Sequence, residues 1–128
     1  MHNRVPSVRF WEHTPVRWAL IFGFFCILTL FFTYPLVRCL PMCVPNPGDP
    51  LLNSWILAWD THKLTTDPSA FFDANIFFPN SNTLAYSESQ PASALLAMPV
   101  YLITQNAVLA HNWFFLFSFA VSGFGMYL

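Results

Sequence analysis

Charge is scarce in this sequence. Only 9% of its 128 residues are Asp, Glu, Lys or Arg, against about 25% in an ordinary soluble domain. The chain therefore lacks the polar coat that a water-soluble fold of this size needs. A disordered segment is excluded as well, because disorder combines low hydrophobicity with high net charge. Here 55% of residues are hydrophobic, 19% are aromatic and the formal net charge is −1. With five Lys and Arg in all, there is no basic footprint for nucleic acid. Four glycines form no phosphate-cradling loop, and neither a nucleophile elbow nor an HExxH motif occurs. No Asn-x-Ser/Thr acceptor is present. Cys39 and Cys43 have no clustered His or Cys partners, which makes them a poor zinc site.

What is abundant is apolar run. Trp18 to Val37 (WALIFGFFCILTLFFTYPLV) carries no charge. At 1.5 Å per residue it spans about 30 Å, the hydrocarbon thickness of a bilayer. It exceeds a signal-peptide core, and no A-x-A-like or lipoprotein cleavage site follows it. The expectation is a retained transmembrane helix over residues 18–37, with Cys26 packed at mid-membrane. Arg4, Arg9 and Arg17 precede it and Arg38 follows, which places the 1–17 segment in the cytoplasm by the positive-inside rule. Pro91 to Thr104 (PASALLAMPVYLIT) is short for a span, and Pro99 should kink it. Val108 to Leu128 is long enough to cross, and TQNA joins the two as the turn of a helical hairpin. His111 and Asn112 are polar intrusions there, read as partners for a neighbouring helix or as part of a substrate path. Ser118, Ser122, Gly123 and Gly125 are small enough to admit a close helix neighbour. The fold class is an all-α membrane protein: one helix, an outward loop with membrane-parallel short helices, then the hairpin. Leu128 falls inside an apolar run, so the chain reads as the N-terminal piece of something longer.

Residues 38–90, the first extracytoplasmic loop, hold five of the six carboxylates: Asp49, Asp60, Asp67, Asp73 and Glu88. Asp49-Pro50 opens LLNSWILAWDTHKL as an N-cap followed by a first-turn proline. Leu52, Trp55, Ile56 and Trp59 share one face, suited to lying in the membrane interface. Asn53, Asp60 and Lys63 sit nearer the other face. Asp67-Pro68 repeats the device ahead of PSAFFD, and a Pro-Asn turn interrupts FFPNSNTL. Cys39 and Cys43, on the oxidising face, are a candidate disulfide.

The order of these parts resembles the N-terminal region of the polytopic glycosyltransferases of superfamily C. The residues carrying the resemblance are TYPLV, GDPLLNSWILAWDTHKL, FFDANIFFPNSNTLAYSE and SALLAMPVYLITQNAVLAHNWFFLFSFAVSGFGMYL, together residues 18–128. The resemblance implies transfer of a sugar from a polyprenyl-phosphate donor to an acceptor at the extracytoplasmic face. It matches Asp49 to the family's essential acidic residue after the first helix. It matches Glu88 to a second acidic residue that helps bind metal or substrate. The family's paired carboxylates (Asp-Glu or Asp-x-Asp) are replaced by Gly48-Asp49-Pro50, which leaves open whether a divalent metal, the one cofactor implied, is used. The implied partners are the bilayer, the lipid-linked donor and further C-terminal helices of the same protein.

Such a transfer needs a base at the acceptor hydroxyl and positive charge near the departing phosphate. Asp49 is the candidate base, its plainer reading being a helix cap. Glu88 is the candidate for orienting acceptor or metal, its plainer reading a solvated carboxylate. Asp60, His62 and Lys63 cluster on what the pattern makes an exposed helical turn, as a phosphate clamp or as an ordinary i,i+3 surface pair. Asp67 reads as a cap. The alternative from a different class is a non-catalytic multi-pass protein such as a transporter or assembly subunit. Transporters bury their ionisable groups at mid-membrane, whereas here they gather in the loop. An inactive remnant is a third reading. The topology is testable directly: a reporter active only in the cytoplasm should work at the N-terminus and fail when inserted near Asn80, and the reverse pattern would invert the orientation.

Overall fold

The computed structural model describes residues 14–128; Arg4, Arg9 and most of the expected cytoplasmic segment lie outside the described residues. Among these, all regular structure is helical: α1 (Thr14–Phe32), α2 (Tyr34–Val37), α3 (Asp49–Thr66), α4 (Pro91–Thr104) and α5 (Ala107–Tyr127), with 3-10 turns at Pro68–Ala70 and Thr83–Tyr86. Two helices are long and apolar enough to cross a membrane, α1 over Pro15–Phe32 and α5 over Ala107–Tyr127.

The apolar run read as one helix over 18–37 is two helices. α1 stops at Phe32, and Thr33 adopts φ −103°, ψ 18° before α2 resumes. Pro35 is the cause: it has no N–H, and its ring would clash with the carbonyl one turn back in a continuous helix. The Thr33 hydroxyl donates to Thr29 O at 2.6 Å and closes the broken end. Pro99, by contrast, lies inside α4 without ending it. α4 passes to α5 through Gln105, in the left-handed region at φ 52°, and Asn106, whose side chain accepts the Leu109 N–H. That side-chain cap satisfies one of the amides a helix start leaves open.

α5 is the hub, touching α1, α3 and α4. Against α1 it sets Phe124 edge-on to Phe22, with centroids 5.7 Å apart. The Arg17 guanidinium hydrogen-bonds the Tyr127 hydroxyl and lies over its ring. Of the small residues in α5, Gly123 is the one that matters: a Cβ there would run into the Phe25 ring, whereas one on Gly125 would meet open space.

α3 is buried along two lines rather than one. At about 100° per residue, Asn53, Ile56 and Asp60 fall within about 60° of each other, on the line that begins at the exposed Asp49, and Ser54, Leu57 and Thr61 lie on the adjacent line. Leu57 packs with Ala97 of α4 and Ala110 of α5, and Val100, Tyr101 and Phe114 surround them. Ile56 packs with Ala74 and Leu84, flanked by Trp55, Trp59 and Ile76. The tryptophan stripe, expected against lipid or against the membrane helices, packs in part on this cluster and is half-buried. FFDANIFF folds back over it because Trp59 donates its indole N–H to Phe71 O at 3.1 Å. Asp73 accepts the Asn82 N–H, Thr83 donates to Ala74 O, and Leu84 N–H reaches Phe72 O. These bonds clasp residues 72–84 into a cover. Leu52, from the same expected stripe, stays exposed.

The α1–α5 contact has a single-residue test. Gly123→Ala should force the Phe25 ring aside and cost about 1–3 kcal/mol by overpacking, read as a lower unfolding temperature in detergent micelles. Gly125→Ala should be neutral or stabilising, since Ala is the better helix former. Equal behaviour of the two variants would mean that α1 does not approach α5 at Gly123.

Candidate functional site

The site starts where α3 does. Asn46 Oδ1 accepts the Gly48 N–H at 3.2 Å, and Gly48 O then accepts from Leu51 N at 3.0 Å. Gly48 is therefore the cap, and Asp49, expected there, is the first helical residue with no capping bond from its side chain. The compact Asn-Pro-Gly turn has already committed the cap position, so the Asp49 carboxylate is left exposed in the first turn, where the helix dipole favours a negative charge. Across from it, the extended Ser87 at the end of the second 3-10 turn carries the chain into Glu88. Asp49, Leu52, Asn53, Tyr86, Ser87 and Glu88 line one cleft of about 520 Å³. Two carboxylates far apart in sequence thus line one cleft with two hydroxyls and an amide.

Behind the cleft lies a polar junction. Asn53 Oδ1 accepts the Gln90 side-chain N–H at 2.8 Å, and Asp60 Oδ2 accepts the Gln90 backbone N–H at 3.1 Å. Asp60 is completely buried, which overturns its expected place on an exposed turn. Burial pushes its carboxyl above the usual carboxylate range, partly opposed by the Gln90 N–H. The expected partner Lys63 instead sets its ammonium 5.1 Å from the centre of the Trp59 ring, and His62 is exposed beside the same tryptophan. The three do not form a clamp: Asp60 faces Gln90, and neither His62 nor Lys63 lines the cleft. Asp67 sits at the α3 terminus, where its carboxylate accepts the Ser69 hydroxyl at 2.6 Å, and that bond holds its pKa down.

A divalent metal would need several of these donors to meet at one point. Among the described residues no three His, Cys, Asp or Glu side chains converge on a common point. Asn53 already spends its oxygen on Gln90. Among the described residues the cleft offers two carboxylates, Asp49 and Glu88, without a third such ligand beside them.

Two asparagines, Asn106 at the cap of α5 and Asn112 inside it, fasten a distant turn. Asn112, fully buried, donates to Leu40 O at 2.8 Å and to Cys43 O at 2.6 Å. Asn106 donates to Pro41 O at 3.0 Å. Together they hold the turn closed by the Cys39–Cys43 disulfide, whose Cα atoms are 5.3 Å apart. His111 is buried and stacks on Phe115. An apolar hollow of about 420 Å³ lies between the disulfide, Phe32 and Phe115. Cys26 is a free thiol, half-buried in α1.

Sequence reasoning passed over Asn53 and Gln90. The usable signal was spacing: residues 49, 53 and 60 return to one helix face, and Gln90 stands immediately before the proline that opens α4.

The buried carboxyl gives a pH signature. Its folded pKa is above the unfolded value of 3.8, so the folded state holds the proton more tightly and stability falls as pH rises from 3.8 through the raised folded value, then levels off. Asp60→Asn should remove that slope from the unfolding temperature measured in detergent between pH 3.5 and 7 (about the window in which a raised carboxyl titrates). An unchanged slope would place Asp60 in water.

No family model, curated protein or solved structure matches this chain.

Proposed function

We propose that this chain is the N-terminal part of an integral membrane glycosyltransferase, multi-pass with its N-terminus in the cytoplasm, which moves a sugar from a polyprenyl-phosphate donor to an acceptor hydroxyl at the extracytoplasmic face. The observation that carries the reading is the cleft shared by Asp49 and Glu88. It lies in the connecting segment between two helices that are apolar and long enough to span. α1, the cover over α3, and the α4–α5 pair would form the first span, the outer loop and the hairpin.

In this reading Asp49 takes the proton of the acceptor hydroxyl as its oxygen bonds to the sugar's anomeric carbon. The bond from that carbon to the phosphate breaks, and polyprenyl phosphate leaves with the electron pair. Glu88 accepts a hydrogen bond from a second hydroxyl and fixes the attacking group. Proximity of this kind lowers the barrier to transfer. The apolar flanks of α1 suit the lipid of the donor. A non-catalytic transporter or assembly role draws less support, because Asn112 is committed to two backbone carbonyls and is not presented to a pathway.

Because Gly48 caps α3 and Asp49 does not, folding and chemistry separate cleanly. Asp49→Asn and Asp49→Ala should both leave the unfolding temperature close to wild type. Both should lower transfer by about 10²–10⁴-fold, the usual loss when a general base is removed. The assay uses the full-length protein in native membranes and a panel of polyprenyl-phosphate hexoses and pentoses. Wild-type turnover in Asp49→Asn would defeat the assignment.

A further inference from the structure

We infer that Asp60 and Asn53 act as positioning residues: through Gln90 they lock the start of α4 to α3 and so hold Glu88 across the cleft from Asp49. The inference rests on the proposed transferase reading for its link to turnover, and on geometry alone for the clamp.

Both ends of Gln90 are gripped by one helix. Its backbone N–H is held by Asp60 and its side-chain amide by Asn53, two turns apart along α3. A residue bonded at backbone and side chain by the same rigid element can neither slide along it nor rotate away from it. Gln90 is also the N-cap of α4 and is followed by Pro91, which restricts the backbone of the residue before it. Glu88 lies two residues upstream, and Ser89 bonds back to Ser87 O, so little freedom intervenes between clamp and cleft. Asp49 belongs to the same helix as the two gripping residues, and Asn53 itself lines the cleft. The distance between the two carboxylates is therefore set by α3 and by one tie.

The chemistry of the gripping residue supports a positioning role. Asp60 is fully buried, and its second oxygen, Oδ1, has no hydrogen-bond partner. Burying a carboxylate is expensive unless it is well bonded, and a helix packed only for stability would do better with an apolar side chain there. The carboxylate also lies at the N-terminal end of α4, where an anion is favoured.

The test separates clamp from chemistry. In a Cys26→Ser background, Asp49→Cys with Glu88→Cys is treated with a short bismaleimide in native membranes, where Cys39 and Cys43 stay paired. Cross-linking should be efficient, should fall several-fold when Asp60→Ala is added, and should recover with Asp60→Asn, whose amide oxygen accepts the same N–H. In the protein with Asp49 and Glu88 intact, Asp60→Ala should lower kcat for a polyprenyl-phosphate sugar by about tenfold to 100-fold, the penalty of a misplaced reacting group. KM should stay near wild type, and Asp60→Asn should restore most of the rate. Cross-linking that ignores Asp60→Ala overturns the clamp. So does an Asp60→Asn variant as impaired as Asp60→Ala. If cross-linking follows the prediction while the wild-type protein transfers no sugar, the clamp stands and the transferase reading fails. Cross-linking lost with kcat unchanged overturns the positioning role.

Discussion

A backbone group that leaves a helix and becomes buried must find a partner in another segment or forfeit its hydrogen bond. The structure depends on how that constraint is met. The turn after α2 is fastened by Asn112 and Asn106, which donate to three of its carbonyls. The entry to α4 is fastened by Asp60. The cover over α3 is fastened by Trp59, Asp73 and Thr83. The first two sets and the Trp59 bond join an irregular segment to a helix or its cap, while Asp73 and Thr83 tie the cover to itself.

These ties also account for the site. Asp49 emerges in the first turn of α3 because Gly48 takes the cap position. Glu88 is brought opposite because Gln90 is bound to α3 at two points. α3 itself is fixed by Leu57 against α4 and α5 and by Ile56 against the cover. A cleft with two carboxylates is thus a by-product of seating one helix between two layers. The cleft stays open to solvent, while the outer surfaces of α1 and α5 stay apolar.

Much of the architecture was legible because hydrophobic length and proline placement are local properties. The apolar stretches around α1 and α5, the helix after Gly48, and the proline-led start of α4 all follow from single segments. The break at Thr33 was also written locally, in Pro35, but was masked by the unbroken hydrophobicity of the run. The tryptophan stripe was correctly grouped on one face, but its contact with FFDANIFF was not legible, since nothing in α3 says that this segment folds back over it.

What the sequence by itself determined is therefore the class: helices, apolar enough that two of them can cross a membrane, with the carboxylates gathered between them. That follows from composition and period, which need no tertiary contact. What only the tertiary structure decided is which polar residues are available and which are committed. Asp60 and Asn112 look like surface or pathway groups in the sequence, yet each is buried and engaged with backbone from a distant segment. Asp49 looks like a cap and is left exposed. The reason is physical: a side chain's hydrogen-bond partner is fixed by which backbone groups other segments leave unsatisfied beside it, and that is settled only when the segments pack.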